Sequence, residues 1–279
     1  MSMQLNQKLL IRSEKTTKKL KDWDPDYDAG KRKEDVESEL SQFSSQMSEL
    51  QYKLFAAKSQ SLVIILQGVD ASGKDGTIRH VMGALNPQSC YVKSFKVPTE
   101  EELSHNYLWR VHMAVPSKGQ IAIFNRSHYE DVIEVRVLNL VPKNELSLRY
   151  RQINDFERHL SENHVTILKF FLHISKDEQK KRIKERLQDP KKRWKISESD
   201  LLARKYWDKY MESYEEALGR CSTQWAPWYV IPANLKWFRN WAVAQIIVDT
   251  LDRMKLKYPQ PKVNVSKELE HLDRSSKSY

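Results

Sequence analysis

From residue 33 to residue 58, apolar side chains recur at Val36, Leu40, Phe43, Met47, Leu50, Leu54 and Phe55. Steps of three and four put them on one face, which predicts an amphipathic helix. The pattern then changes. Residues 61–67 (SLVIILQ) form a short continuous apolar run, as expected of a strand buried on both faces of a parallel sheet. Further runs predict strands at 91–95, 120–124, 165–174 and 228–231. Between them lie helical patterns, one to about Leu85 and others over 129–138, 145–163, 199–218 and 235–254. Two more helices open on capping-box patterns, Thr99 with Glu102 and Ser175 with Glu178. Strands separated by helices predict an α/β fold, with helices on both faces of a parallel five-stranded sheet. Ligands in such sheets bind at the carboxyl ends of the strands.

Residues 1–33 are basic, polar and aperiodic and are expected to form an arm, mobile or packed at the periphery. Residues 34–258 read as one domain, and 259–279 as a polar, frayed tail. No internal repeat is present. The length of 279 residues suits one large α/β domain with an appendage. With 40% hydrophobic and 30% charged residues, wholesale disorder is excluded. Apolar runs such as 62–66 are too short to cross a bilayer, and the Lys- and Arg-studded start has no apolar leader. A cytoplasmic protein without a membrane partner is therefore expected. Two cysteines, Cys90 and Cys221, without metal-type spacing, argue against a disulfide scaffold and a zinc site.

The net charge of +10 points to a polyanionic substrate or partner, nucleic acid being the first thought. The excess is uneven, however. Residues 180–195 carry nine Lys and Arg against Glu185 and Asp189.

Three motifs carry chemistry. Gly68-Val-Asp-Ala-Ser-Gly73-Lys74 fits the phosphate-loop pattern GxxxxGK between a predicted strand and a predicted helix. Its backbone N–H groups can form an anion nest around Ser72 and Gly73, with the helix N-terminus and Lys74 adding positive charge. Asp75 and Gly76 follow where Ser or Thr usually holds Mg²⁺; Asp75, with Asp70 inside the loop, would suit hard oxygen ligation of that ion. The second motif, residues 121–131, ends a strand in Asn125, followed by Arg126 for phosphate oxygens and by Glu130 one helical turn on. His128 reads as a packed histidine rather than a general base. Third, Arg182 and Arg186 share a face of the basic helix, and Lys192, Arg193 and Lys195 follow in a loop, a row suited to a lid over phosphates. Lys93 and Lys96, at the end of the second strand, could extend that row.

GVDASGKDG, FNRSHYED and the run from Arg182 through ERLQDPKKRWKISESDL closely resemble the polyphosphate kinase 2 family, over roughly residues 35–258. The resemblance implies a P-loop kinase fold similar to thymidylate kinase, with a three-layer α/β/α core and a helical lid at about 180–218. It implies phosphoryl transfer between inorganic polyphosphate and adenine nucleotides with Mg²⁺, Mn²⁺ as a substitute, no nucleic-acid partner, and a homo-oligomer. Asp70 and Lys74 would act on metal and phosphate, Arg126 beside them, and Arg186 would be the lid arginine. Most of the family has Asp at the position of Asn125 and Asn at that of Glu130. The Asn–Glu combination resembles the subgroup called class III, whose members phosphorylate both AMP and ADP. Two rival readings remain: an ATP-dependent nucleoside monophosphate kinase, and a polyanion-binding protein with an inactive site.

Overall fold

Each of the five apolar runs becomes a strand, with bounds within one or two residues of those read from the pattern. The structure, a computed structural model, describes residues 8–10, 19–196 and 198–275. Much of the expected arm (1–7 and 11–18) and residues 276–279 of the expected tail lie outside the described residues. In chain order the elements are α1 (Lys33–Ala57), β1 (Ser61–Gln67), α2 (Lys74–Val81), β2 (Cys90–Ser94), α3 (Glu100–Ser104), α4 (Trp109–His112), β3 (Ile121–Asn125), α5 (Glu130–Val137) and α6 (Lys143–Glu162). There follow β4 (Val165–His173), α7 (Lys176–Gln188), α8 (Glu198–Lys205), α9 (Trp207–Arg220), β5 (Trp228–Pro232), α10 (Lys236–Arg253) and α11 (Val265–Ser275).

All pairings are parallel, in the order β2-β3-β1-β4-β5. β1 lies at the centre and every one of its residues is buried, which explains its unbroken apolar sequence. Helices α1, α2 and α10 pack together as one group and α5, α6 and α9 as another. From β1 the chain runs out to the edge strand β2, returns through β3, and crosses to β4 on the other side. That reversal opens a crevice between the carboxyl ends of β1 and β3, where Leu66 is in register with Asn125.

The two capping signals act locally as expected. Thr99 Oγ1 accepts from the Glu102 amide while Glu102 Oε2 accepts from the Thr99 amide. Ser175 Oγ accepts from the Glu178 amide, which leaves the Glu178 carboxylate for Arg182 Nε at 2.7 Å.

Three local features differ from the pattern. The single helix expected over 199–218 is two, α8 and α9, broken at Tyr206. Helix α9 buries Trp207, Tyr210, Tyr214 and Leu218 and packs on α5, so this part of the expected lid belongs to the body. Within the expected arm, Leu9 and Leu20 are buried and Tyr27 meets Phe238 edge-on. Beyond Tyr258 the chain forms the exposed helix α11, where a frayed tail was expected.

Candidate active site

The loop after β1 is shaped by three left-handed residues, Gly68 (φ 147°), Ala71 (φ 68°) and Gly73 (φ 108°). A Cβ on Gly68 would stand 2.8 Å from the Leu172 carbonyl oxygen, so the loop leaves β1 hard against β4. Such left-handed turns let backbone N–H groups point into one concavity, at the N-terminus of α2. Lys74 opens that helix. Its Nζ is buried and donates to the Gly68 carbonyl at 2.7 Å. Burial, which outweighs the opposing charge of Asp70, lowers its pKa. Ser72 is fully buried, and its hydroxyl meets no hydrogen-bond partner among the described residues.

Across the crevice, β3 ends in a corner at Arg126, which is itself left-handed (φ 62°) although it carries a long side chain. Its amide donates to the Leu66 carbonyl, tying the corner to the end of β1. Its guanidinium Nη2 donates to Asp70 Oδ1 at 2.6 Å and Nη1 stands 3.8 Å from Glu130. Burial opposes the Arg126 charge, yet Glu130 and Asp70 outweigh it and hold the guanidinium protonated more firmly than usual. Burial also pushes the Glu130 carboxyl up, against the pull of Arg126 and Lys74. Asn125 Nδ2 donates to Asp75 Oδ1 at 2.9 Å. Loop and corner are therefore joined twice, once on each side of Lys74 in the sequence.

Beneath the corner, Gln67 Nε2 donates to Ser127 Oγ, and His128 Nε2 lies 3.1 Å from Glu157 Oε1. Glu157 also accepts from Tyr129 and from the fully buried Lys169 at 2.6 Å. Burial would raise the Glu157 carboxyl, but Lys169 and His128 outweigh it and hold it below its ordinary value. This buried network braces the corner, and His128 is part of that brace.

The chain matches the family described as Polyphosphate kinase 2 over residues 30–259. The chain belongs to the polyphosphate kinase 2 family. It is 52% identical over 246 residues to the AMP/ADP-polyphosphate phosphotransferase of Meiothermus ruber, covering 87% of this chain and 91% of the relative. It is 42% identical to the ADP-polyphosphate phosphotransferase of Rhodopseudomonas palustris, over 88% of each chain. Its fold superposes with a TM-score of 0.93 on the crystal structure of Polyphosphate Kinase 2 from Arthrobacter aurescens TC1, 41% identical, over 97% of this chain and 96% of that one.

For this polyphosphate kinase 2 family member, the basic segment divides into two parts with different surroundings. Arg182, expected in the cationic row of the lid, is instead buried beneath the loop. Its Nη1 donates to the carbonyls of Ala71 and Ser72, and its Nη2 to those of Ala233 and Asn234. Those carbonyls belong to loops with no strand partner, so a five-donor guanidinium satisfies what the sheet leaves over. Arg186 is half-buried one turn further along α7. Lys192 is exposed and paired with Asp189 at 2.7 Å, and Arg193 Nε donates to the Leu187 carbonyl. Lys195, further along, stands with its Nζ 3.8 Å from Asp75 Oδ2. Lys93 and Lys96 flank the corner at the end of β2, where Phe95 N donates to the Asn125 carbonyl.

Sequence reasoning missed Tyr210, Tyr214 and Glu134. Tyr210 OH donates to Glu134 Oε2 at 2.7 Å, and Tyr214 is buried within electrostatic reach of Glu130, Arg126 and Asp70. Their spacing on an amphipathic helix reads as ordinary core, and only tertiary contact turns that face towards the site. Arg239, on α10, was missed as well. It is buried against Gly73 and Gly76 of the loop.

Asp70 and Asp75 offer the oxygen donors that a magnesium-type ion uses, one or two carboxylates completed by substrate phosphates and water. Among the described residues no three His, Cys, Asp or Glu side chains converge as a closed metal cage. That donor set fits an ion arriving with phosphate.

Proposed function

We propose that the chain transfers a phosphoryl group from the end of an inorganic polyphosphate chain to AMP and to ADP, giving ADP and ATP. An acceptor phosphate oxygen bonds to the terminal phosphorus, and the P–O bond to the rest of the chain breaks, leaving polyphosphate one unit shorter. The reverse reaction lengthens it. The observation that carries this reading is the meeting of Arg126 with Asp70 at the mouth of a nest that also holds Lys74. Phosphoryl transfer spreads negative charge over oxygens and needs positioned cations more than a proton acceptor. Lys74 and Arg126 supply fixed charge, the loop amides orient the transferring group, and Arg186 and Lys195 close over it and exclude water. The Mg²⁺ ion, held by Asp70 and Asp75 with phosphate oxygens, would neutralise charge on the phosphates. The names of the relatives from Meiothermus ruber and Rhodopseudomonas palustris support the donor and acceptors.

The test is chromatographic separation of AMP, ADP and ATP after incubation with polyphosphate and Mg²⁺. ADP and then ATP formed from AMP without added ATP supports the reading. Conversion of AMP only when ATP replaces polyphosphate would overturn it in favour of a nucleoside monophosphate kinase.

A further inference from the structure

Two glycines of the loop segment are explained by one distant residue. A Cβ at Gly73 would collide with Nη1 of Arg239 and stand 3.5 Å from Nη1 of Arg182; a Cβ at Gly76 would stand 3.2 Å from Nη2 of Arg239. Gly76 lies in the first turns of α2, where glycine is a poorer helix former than alanine. The space it leaves is occupied by a guanidinium. Arg239 comes from α10, in a run from Phe238 to Ile247 that is buried throughout, and is itself 3% exposed.

Its hydrogen bonds go to a neutral group. Nε and Nη2 both donate to Asn240 Oδ1, at 3.1 and 2.8 Å. Among the described residues Nη1 has no acceptor, and Arg239 forms no ion pair. The charge that bears on it is Arg182, of like sign, and Arg182 already has Glu178. Burial first, then Arg182, pushes the Arg239 pKa down to about 10. A buried cation without a counter-ion is costly to keep. This one is kept against the floor of an anion nest.

We infer that Arg239 is a cation of the phosphate site whose counter-charge is the bound polyphosphate, so that it sets affinity for the donor rather than the stability of the fold. The inference rests on the donor reading proposed above. Acting through the loop backbone, Arg239 is a positioning residue: it adds positive potential under the nest and holds Gly73 in place from below.

The experiment measures the melting temperature of full-length wild type, Arg239→Gln, Arg239→Lys and Asn240→Asp, with and without Mg²⁺ and tripolyphosphate, together with steady-state kinetics. Arg239→Gln is expected to melt without ligand at or above the wild-type temperature, because it removes an unpaired buried charge. Its ligand-induced rise should fall below about half that of wild type. Its KM for polyphosphate should increase by about tenfold, with KM for AMP little changed. Arg239→Lys should keep most of the ligand response. Asn240→Asp, which supplies the missing counter-charge, should melt higher without ligand and bind polyphosphate more weakly. A lower unliganded melting temperature or failure to fold in Arg239→Gln would contradict the inference. So would a wild-type ligand response in Arg239→Gln; if Lys74→Ala, measured alongside, abolishes that response, the donor reading survives. No rise in wild type overturns both.

Discussion

The guanidinium of Arg126 and the carboxylate of Asp70 meet at 2.6 Å across the crevice between β3 and β1. Fifty-six positions apart in sequence, they are neighbours because Leu66 and Asn125 share a register and both strands end there. In the proposed mechanism Arg126 engages the transferring phosphoryl group and Asp70 its metal.

Asp70→Asn keeps the shape of the loop and removes the charge. Transfer should slow by about 10²- to 10³-fold, the usual effect of losing one transition-state stabiliser. More Mg²⁺ should be needed to reach the residual maximum. Turnover measured over a Mg²⁺ titration checks this; an unchanged Mg²⁺ requirement would remove Asp70 from metal binding.

Asn125 and Glu130 are expected to set acceptor choice. Asn125 donates to Asp75, so aspartate in its place would set two carboxylates against each other at the loop mouth. Glu130→Asn removes the carboxylate beside Arg126. The double change Asn125→Asp with Glu130→Asn should shift the ratio of kcat/KM for AMP to that for ADP. An unaltered ratio would contradict the assignment.

The lid cations should separate kinetically. Lys195→Ala should raise KM for polyphosphate several-fold, since its charge faces the loop at Asp75. Lys192→Ala, an exposed partner of Asp189, should change it by less than about twofold. Arg186→Ala should mainly lower kcat, as expected of a group that acts in the transition state. Wild-type parameters in all three would exclude the lid from the mechanism.

Much of this was legible because it is local. β1 announces itself by seven continuous buried residues, and the loop by glycines at fixed spacing before a helix. Orientation was not. Arg182 and Arg186 share a helix face by spacing, yet Arg182 is drawn under the loop by the carbonyls of Ala71, Ser72, Ala233 and Asn234. Which carbonyls lack donors is decided only when β1, β4 and β5 are assembled. Arg239 carries one sequence signal, as the one charged residue between Phe238 and Ile247, and becomes intelligible with Gly73 and Gly76 above it.

Acid should loosen the fold at the end of β4. Burial pushes the His173 imidazole down to about 4 from its ordinary 6.5, against the Trp23 backbone and Asp24. The folded state keeps this ring neutral, whereas the unfolded chain takes up a proton below 6.5. Stability is therefore lost as pH falls through that window, by about 2 kcal/mol from pH 7 to pH 5. Denaturant midpoints at the two pH values should diverge less in His173→Gln. Equal losses in both proteins would contradict the assignment.

The central claim is that the loop around Lys74 binds the transferring phosphoryl chain, and the direct measurement is the initial rate of ADP formation from AMP and polyphosphate in wild type and Lys74→Ala. The account predicts a fall of at least about 100-fold, corresponding to about 2.7 kcal/mol or more, with an unchanged circular-dichroism spectrum. If Lys74→Ala keeps more than about a tenth of the wild-type rate, less than about 1.4 kcal/mol is lost and the phosphate-loop assignment is wrong.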